Sequence, residues 1–321
     1  MLGTAAGHDD SDGDRVIQGL GVIGNLLILF EAPALGLQLV IDGVLIGAVF
    51  ALAAYGMALV WGVTNIINAS QGEFVMLGGF ITVLAADYGL PPLLAVPLAA
   101  LTLYALGLVL FQTVIVHLIG RDMFNSVLAT FGIAIVLQQL MARVFGGADR
   151  IIQSGLGSWF FLDGLVGIPK VKVLVFAACI ALGALLALFL ARSRAGQAIR
   201  ATAQDARAAS VLGIETRSVY RFTYALNAAI CGAAGALAAM AYTIHPYGGL
   251  SYTIRSFMIV VVAGLGNFAG IIWAALGLGV AESFAGFILG TQYQIAFVFG
   301  LLVAVLVLRN WRLKRERRYL Q

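Results

Sequence analysis

The first residues that could do chemistry lie between two apolar stretches, where amide, hydroxyl and carboxylate side chains follow one another closely. They are Asn65, Asn68, Ser70, Gln71, Gly72 and Glu73. A helix broken at membrane depth is stable only where its backbone is buried in protein or lines a wet cavity, and its freed amides and carbonyls can then hold a polar solute. The alternative is a short cytoplasmic turn in which Ser70 caps the next helix and Glu73 completes a capping box. The segment therefore predicts either part of a solute pathway or an ordinary helix start.

A second break interrupts a long apolar run near the C-terminus, at Gly264, Gly266 and Asn267. Short segments interrupted by glycine, one in each half of a chain, are typical of transporters built from repeats, whose pathway runs between the repeats. Because the chain holds 39 glycines, coincidence is the alternative. The hypothesis is that both broken segments line or frame a translocation pathway.

A third polar stretch, residues 192–221, carries six of the 19 basic residues. Its alanine-rich sequence with spaced arginines favours a helix, and Gly213 is suited to end one. A second short helix is expected to start after Thr216. A charged pair of helices between two membrane spans would suit docking onto a cytoplasmic partner, whereas a solvated loop is the alternative.

The elements that position these segments must be membrane helices. Of the 321 residues, 61% are hydrophobic and 11% are charged, whereas soluble proteins carry about 25% charged residues. A helix needs about 20 apolar residues to cross the hydrocarbon core. We predict spans near residues 38–62, 91–118, 124–145, 171–191, 222–243, 271–289 and 293–309, with shorter apolar stretches near 73–87 and 254–266. The predicted fold class is an all-α, polytopic membrane helix bundle of about nine (roughly eight to ten) transmembrane helices with two Gly-interrupted short segments.

The basic clusters predict the orientation and the limits of the domains. Residues 1–35 are an acidic segment followed by a short apolar helix, residues 36–309 are the membrane domain, and residues 310–321 are a basic tail. Six more basic residues lie from Arg309 to Arg318, and such clusters stay in the cytoplasm during insertion. If residues 254–266 cross the membrane, both basic clusters lie on the cytoplasmic side. The tail is predicted to contact anionic membrane lipid, and no nucleic-acid partner is expected.

Five ionisable residues fall inside apolar runs, where charges are costly and often functional. They are Asp42, Glu73, Arg143, Arg255 and Glu282. Asp42, Arg143 and Arg255 lie near predicted span ends, where exposure to water explains them, whereas Glu73 and Glu282 are deeper. No metal site, cofactor or catalytic constellation is predicted, and both cysteines are expected to be small packing residues.

Together these segments resemble one known family. Arg200–Asp205 and Leu212–Ile214 are similar to the coupling loop of the LivH-type permeases, the branched-chain amino acid ABC importer family. Asn68–Glu73 is similar to that family's Asn-Phe-Ala-His-Gly-Glu segment, and Gly264–Asn267 resembles its late Gly-rich segment. The resemblance runs from about Gly36 to Arg309 in the same order and spacing, which makes the set of motifs specific.

The resemblance implies a transmembrane permease subunit of an ABC importer in a bacterial inner membrane. It would bring a small polar solute, in the first place a branched-chain or related amino acid, into the cytoplasm. The implied partners are a second permease subunit, cytoplasmic ATP-binding subunits that hydrolyse ATP, and an external solute-binding protein. The residues implied in coupling to the ATPase are Arg200, Asp205, Arg207, Ala209, Leu212 and Gly213. The sequence agrees that ATP is hydrolysed elsewhere, because it has no Walker-type loop.

Two alternatives stay open at the level of sequence. Ala69, Ser70 and Gln71 stand where the family has Phe, Ala and His, so the alternative is that the chain is a urea or short-amide ABC permease. The alternative of another class is a stand-alone secondary transporter or channel. The scarcity of buried acids and histidines argues against coupling to protons.

Overall fold

The computed structural model describes residues 21–22, 24–152, 155–162 and 164–318. Most of the predicted acidic segment therefore lies outside the described residues, and of the short apolar stretch that follows it residues 24–31 are helical. The main elements, in chain order, are α1 (Pro33–Thr64), α2 (Gln71–Asp87), α3 (Pro92–Thr113), α4 (Met123–Phe145), β1 (Ser158–Phe161), β2 (Val166–Pro169), α5 (Lys170–Arg192), α6 (Arg194–Gln204), α7 (Ala206–Val211), α8 (Thr216–Ala241), α9 (Gly249–Ala263), α10 (Phe268–Leu289) and α11 (Gln294–Arg318).

Seven helices in the described part of the chain are long and apolar enough to cross a membrane. They are α1, α3, α4, α5, α8, α10 and the stretch Thr291–Leu308. The prediction of a membrane helix bundle is therefore confirmed. The count of about nine spans stays a prediction, since α2 and α9 have only 17 and 15 residues.

Helices α1 and α8 form the centre of the bundle, and glycine lets their neighbours approach closely. Gly47 of α1 lies against Ala275 of α10, and Gly43 lies against Gly279, so these two helices run antiparallel. Gly232 of α8 lies in the same way against α3. Lipid offers no hydrophobic drive for helices to associate, so membrane helices depend on such close backbone packing.

The loop between α4 and α5 contains a two-stranded β-hairpin. β1 pairs antiparallel with β2, with Ser158 opposite Pro169. The aromatic run of β1 favours a strand. We call the end of the bundle that carries this hairpin the β end.

The opposite end carries α6 and α7, and we call it the α6 end. Helix α5 connects the two ends, and its 23 residues span about 34 Å at about 1.5 Å per residue. Near the start of α1, Gln38 hydrogen-bonds to Gly167 of β2 and Asp42 forms a 2.6 Å ion pair with Lys172. Helix α1 therefore runs from the β end to the α6 end. The predicted short helix after Thr216 is wrong, because that residue begins the long helix α8.

Candidate functional site

The first polar segment turns back into the bundle after α1 ends. Asn65 adopts a left-handed conformation, with φ of 55° and ψ of 28°, which asparagine tolerates better than most residues. The side chain of Gln71 then donates from Nε2 to the carbonyl oxygen of Ala53, at 2.8 Å. Because Ala53 lies near the middle of α1, helix α2 begins inside the bundle and not at its surface.

The polar side chains of this segment bond first to one another. Asn68, Ser70 and Gln71 are fully buried. Asn68 Oδ1 accepts hydrogen bonds from the backbone nitrogen of Ser70 at 3.2 Å and from its Oγ at 2.7 Å. Ser70 occupies the N-cap position of α2 but makes no side-chain cap bond. The capping box of Ser70 and Glu73 in the alternative interpretation is therefore wrong.

Other bonds tie the start of α2 to α8 and α9. Gln71 Nε2 lies 3.0 Å from the sulfur of Cys231 on α8. Thr253 of α9 accepts a hydrogen bond from the backbone nitrogen of Gly72 at 2.8 Å and donates one to the carbonyl oxygen of Ala69 at 3.2 Å. Cys231 is thus a hydrogen-bonding partner and not only the packing residue that the sequence predicted.

The starts of α2 and α9 meet at two glycines and a carboxylate. A Cβ atom on Gly72 would overlap the carbonyl oxygen of Gly249, the first residue of α9, and a Cβ on Gly249 would overlap the carboxylate of Glu73. Glu73 is 3% exposed, and its Oε2 has no hydrogen-bond partner among the residues described. We call this site the polar junction, and it comprises Asn68, Ala69, Ser70, Gln71, Gly72, Glu73, Cys231, Gly249 and Thr253.

The glycine-rich segment predicted for the same pathway lies elsewhere, at the α6 end. Gly264 and Gly266 adopt φ values of 85° and 81°, and Asn267 Oδ1 accepts from the backbone nitrogen of Gly270 at 2.9 Å, which caps α10. A cavity of about 560 Å³ opens beside this turn, lined by Gly266 and Asn65 together with residues of α1 and α6. The predicted pathway residues thus fall into two groups, one in the polar junction and one at the α6 end.

Helices α6 and α7 are held in shape by local caps. The side chain of Ser193 accepts from the backbone nitrogen of Gly196 at the start of α6. Asp205 accepts from the backbone nitrogens of Arg207 at 2.8 Å and Ala208 at 3.0 Å at the start of α7. The hydrogen bonds from Ala208 and Arg207, with a smaller contribution from the Arg207 charge, hold the pKa of Asp205 below its ordinary value. The chain therefore turns sharply between two rigid helices.

The end of α7 presents apolar side chains to the outside. Gly213, with φ of 87°, stops the helix as predicted, and Ile214 N donates to the carbonyl oxygen of Ala209. Val211 and Leu212 are 87% and 81% exposed, whereas Ala209 is 2% exposed. Of the predicted coupling residues, Arg200, Asp205, Arg207, Leu212 and Gly213 are exposed, and only Ala209 faces inward.

Arg255, midway along α9, and Glu282, in the second half of α10, form one buried ion pair. Arg255 Nε lies 2.9 Å and 2.8 Å from the two carboxylate oxygens of Glu282, and the side chains are only 13% and 5% exposed. The guanidinium also stacks 5.0 Å from the ring centre of Phe50 on α1. The prediction that exposure to water explains Arg255 is wrong, because its side chain is buried against Glu282 of α10.

Sequence reasoning missed three residues that the junction uses and one at the α6 end. The contacts of Gly249, Thr253 and Cys231 with the α2 start join segments far apart in the chain. The double glycine at the start of α9 and a lone threonine within its first turns were visible signals. Val211 was visible as an apolar residue beside Leu212 in a charged segment.

Comparison with known proteins places this arrangement in a family. A family model described as "Branched-chain amino acid transport system / permease component" matches residues 39–306. The chain is 30% identical to the high-affinity branched-chain amino acid transport system permease protein BraD of Pseudomonas aeruginosa, over 85% of this chain and 94% of BraD. It is 29% identical to LivH of Escherichia coli K12, over 84% of this chain and 92% of LivH.

The chain is also similar to LivM, another high-affinity branched-chain amino acid transport system permease protein of Escherichia coli K12. The identity is 26%, over 94% of this chain and 75% of LivM. The family match spans the whole predicted membrane domain except its ends, from within α1 to within α11. The chain therefore belongs to the family of permease components of branched-chain amino acid transport systems, and it is a multi-pass membrane transport subunit of the ABC importer type, not an enzyme.

Proposed function

We propose that this chain forms part of the route by which a branched-chain or closely related amino acid enters a bacterial cytoplasm across the inner membrane. The support for the solute is that BraD, LivH and LivM are all named for branched-chain amino acids. The support for a pathway is the buried set of amide, hydroxyl and carboxylate groups. Burying a carboxylate at membrane depth is costly, and such residues are typically functional. Urea or a short amide is the alternative solute.

The reconstituted importer should therefore take up leucine, isoleucine or valine and not urea. The assay would place the full complex in liposomes with its solute-binding protein outside and ATP inside. Uptake of urea without uptake of any branched-chain amino acid would favour the alternative solute. Uptake by the purified chain alone, driven by an ion gradient, would contradict the ABC assignment and favour a stand-alone transporter.

The proposed partners follow from the family and from the shape of the α6 end. Since the chain is similar to both LivH and LivM, we expect it to pair with a second, related permease. Two cytoplasmic ATP-binding subunits and an external solute-binding protein would complete the importer. The ATP-binding subunits would dock on residues 192–221.

The single observation that carries the coupling proposal is the exposed apolar tip at Val211 and Leu212 on a helix locked by its caps. Apolar side chains this exposed are typical of a protein contact when they stand on a polar, water-facing segment. The 560 Å³ cavity beside the same segment is lined by α6, by the end of α1 and by the turn after α9, so these elements lie close together. A displacement of α6 and α7 could thus be passed along α1 and α9 to the polar junction.

Replacing both Val211 and Leu212 with aspartate should remove the ATP-binding subunits from the purified complex. Two charges would have to be buried in an apolar contact, so we expect recovery of the ATP-binding subunits and leucine uptake to fall at least tenfold. Leu165→Asp is the matched control, since that side chain is 70% exposed at the β end. Normal recovery of the ATP-binding subunits with the double variant would contradict docking at this tip.

We further propose nine crossings, with the α6 end in the cytoplasm. The first helix, α1, ends at the α6 end, α10 runs antiparallel to it, and the short helices α2 and α9 complete crossings that begin inside the bundle. The basic tail then lies at the same end as residues 192–221, and the positive-inside rule assigns that end to the cytoplasm. The proposed limits of the membrane domain remain 36–309, although α11 continues without a break to Arg318.

This orientation predicts opposite labelling of two single-cysteine variants. On intact cells, a membrane-impermeant maleimide should label Asp149→Cys at the β end, whose side chain is 67% exposed. It should label Arg200→Cys only after the cells are permeabilised. The native cysteines, Cys179 and Cys231, are buried and provide the background. Labelling of Arg200→Cys on intact cells would overturn both the orientation and the docking proposal.

A further inference from the structure

The carboxylate of Glu73 is the feature of the polar junction that local bonding leaves incomplete. Glu73 is only 3% exposed, and its Oε2 lacks a hydrogen-bond partner in the described ranges. Asn68, Ser70 and Gln71 beside it are bonded to one another. Asn227 Nδ2 on α8 is also unpartnered, but it is neutral, and a buried charge without a partner is far more costly.

No cation in the described part of the chain is placed to neutralise this carboxylate. The ion pairs found there join Lys172 to Asp42, His245 to Asp149 and Arg255 to Glu282. Arg255 is the basic residue on α9 itself, and its Nε is already held by both oxygens of Glu282. An isolated carboxylate at membrane depth is stabilised when a ligand supplies the missing cation.

The surroundings of Glu73 leave no side chain between the carboxylate and the start of α9. Gly249 lies directly against the carboxylate, and Gly72 lies against Gly249. In this structure the contact between α2 and α9 closes the carboxylate off. A solute therefore reaches Glu73 only when the two short helices move apart, as expected for a group within a pathway that opens and closes.

We infer that Glu73 binds the ammonium group of the transported solute during its passage. The inference rests on the proposed function, because an amino acid is a solute that brings an ammonium group and no net charge. A charge-assisted hydrogen bond between ammonium and carboxylate is among the stronger polar contacts in proteins. Urea and simple amides carry no such cation, so this carboxylate also favours an amino acid over those alternatives.

The first test compares variants of Glu73 in the reconstituted full importer. Glu73→Gln keeps the shape and removes the charge, so leucine uptake should fall at least tenfold while the complex still assembles. Glu73→Asp should keep a measurable fraction of uptake. Thr82→Val is the matched control, because Thr82 is a buried polar residue of the same helix that bonds only within α2. Uptake by Glu73→Gln within twofold of the unmodified importer would overturn the inference.

The second test uses the unmodified importer, so it does not depend on a variant that folds. Dicyclohexylcarbodiimide modifies carboxyl groups in apolar surroundings, and mass spectrometry would measure its attachment to Glu73 during ATP turnover. Leucine and isopentylamine, which both carry an ammonium group, should protect Glu73 at least fivefold. 4-Methylpentanoate, which lacks the ammonium group, should not protect it.

The outcomes separate this inference from the proposed function. Equal protection by 4-methylpentanoate, or no labelling of Glu73 under turnover, would overturn the ammonium role even if leucine is transported. Protection by isopentylamine without any uptake of a branched-chain amino acid would support the ammonium site and contradict the proposed solute.

Discussion

Replacing Glu282 with leucine is expected to destabilise the protein by about 3–5 kcal/mol, because the change leaves Arg255 buried without its counter-ion. The two side chains are almost fully enclosed between α9, α10 and α1. In detergent, the loss should lower the midpoint of thermal unfolding by on the order of 10 °C. Arg255→Leu should have an effect of similar size, since it leaves the carboxylate of Glu282 buried without a counter-ion.

The double variant Arg255→Leu with Glu282→Leu tests whether the two buried charges depend on each other. Removing both charges removes the desolvation cost together with the attraction, so the double variant should be more stable than either single variant. Lys172→Met is the matched control, because the Lys172–Asp42 pair is 22% and 29% exposed and should contribute less than about 1 kcal/mol. Additive losses in the double variant would contradict a coupled pair.

Replacing Gly72 with alanine is expected to reduce leucine uptake at least tenfold. The added Cβ would overlap the carbonyl oxygen of Gly249, so the starts of α2 and α9 would have to separate. The shift would also lengthen the 2.8 Å bond from Gly72 N to Thr253. Overpacking of this kind costs about 1–3 kcal/mol, and here it falls on the junction itself. Uptake and the unfolding midpoint would be measured on the same preparation.

Gly277→Ala is the matched control for this substitution. Gly277 lies within α10, and its Cβ would meet no described atom within 4 Å apart from its chain neighbours and the nearby backbone of its own helix. Alanine also favours a helix over glycine by about 1 kcal/mol, so uptake should be unchanged and stability equal or higher. If both alanine variants behave alike, close packing at the junction is not what limits transport.

Both substitutions, Glu282→Leu and Gly72→Ala, disturb contacts of the same short helix, α9. Its start contacts Gly72 and Glu73, and one side of it is tied to α10 by the Arg255–Glu282 pair. Its end leads into the turn beside the cavity at the α6 end. Within the proposed function, α9 is therefore the element best placed to transmit movement from residues 192–221 to the polar junction.

Much of the site could be read from sequence because its signals are local. The stop at Gly213 and the helical character of residues 194–211 depend on backbone conformation and propensity within a few residues. The polar segment from Asn68 to Glu73 was visible because polar residues are rare between apolar spans. Its burial was not visible, since an exposed turn and a buried junction use the same residue types.

The sequence by itself determined that the chain is a membrane helix bundle with one basic, helical segment and two broken stretches, because span length, charge and glycine act locally. Only the tertiary structure decided that Arg255 pairs with Glu282, that Gly249 and Thr253 complete the junction, and that the turn at residues 264–267 lies apart from it. Those contacts join residues 27 to 184 positions apart, and no local pattern specifies which helices meet at such separations.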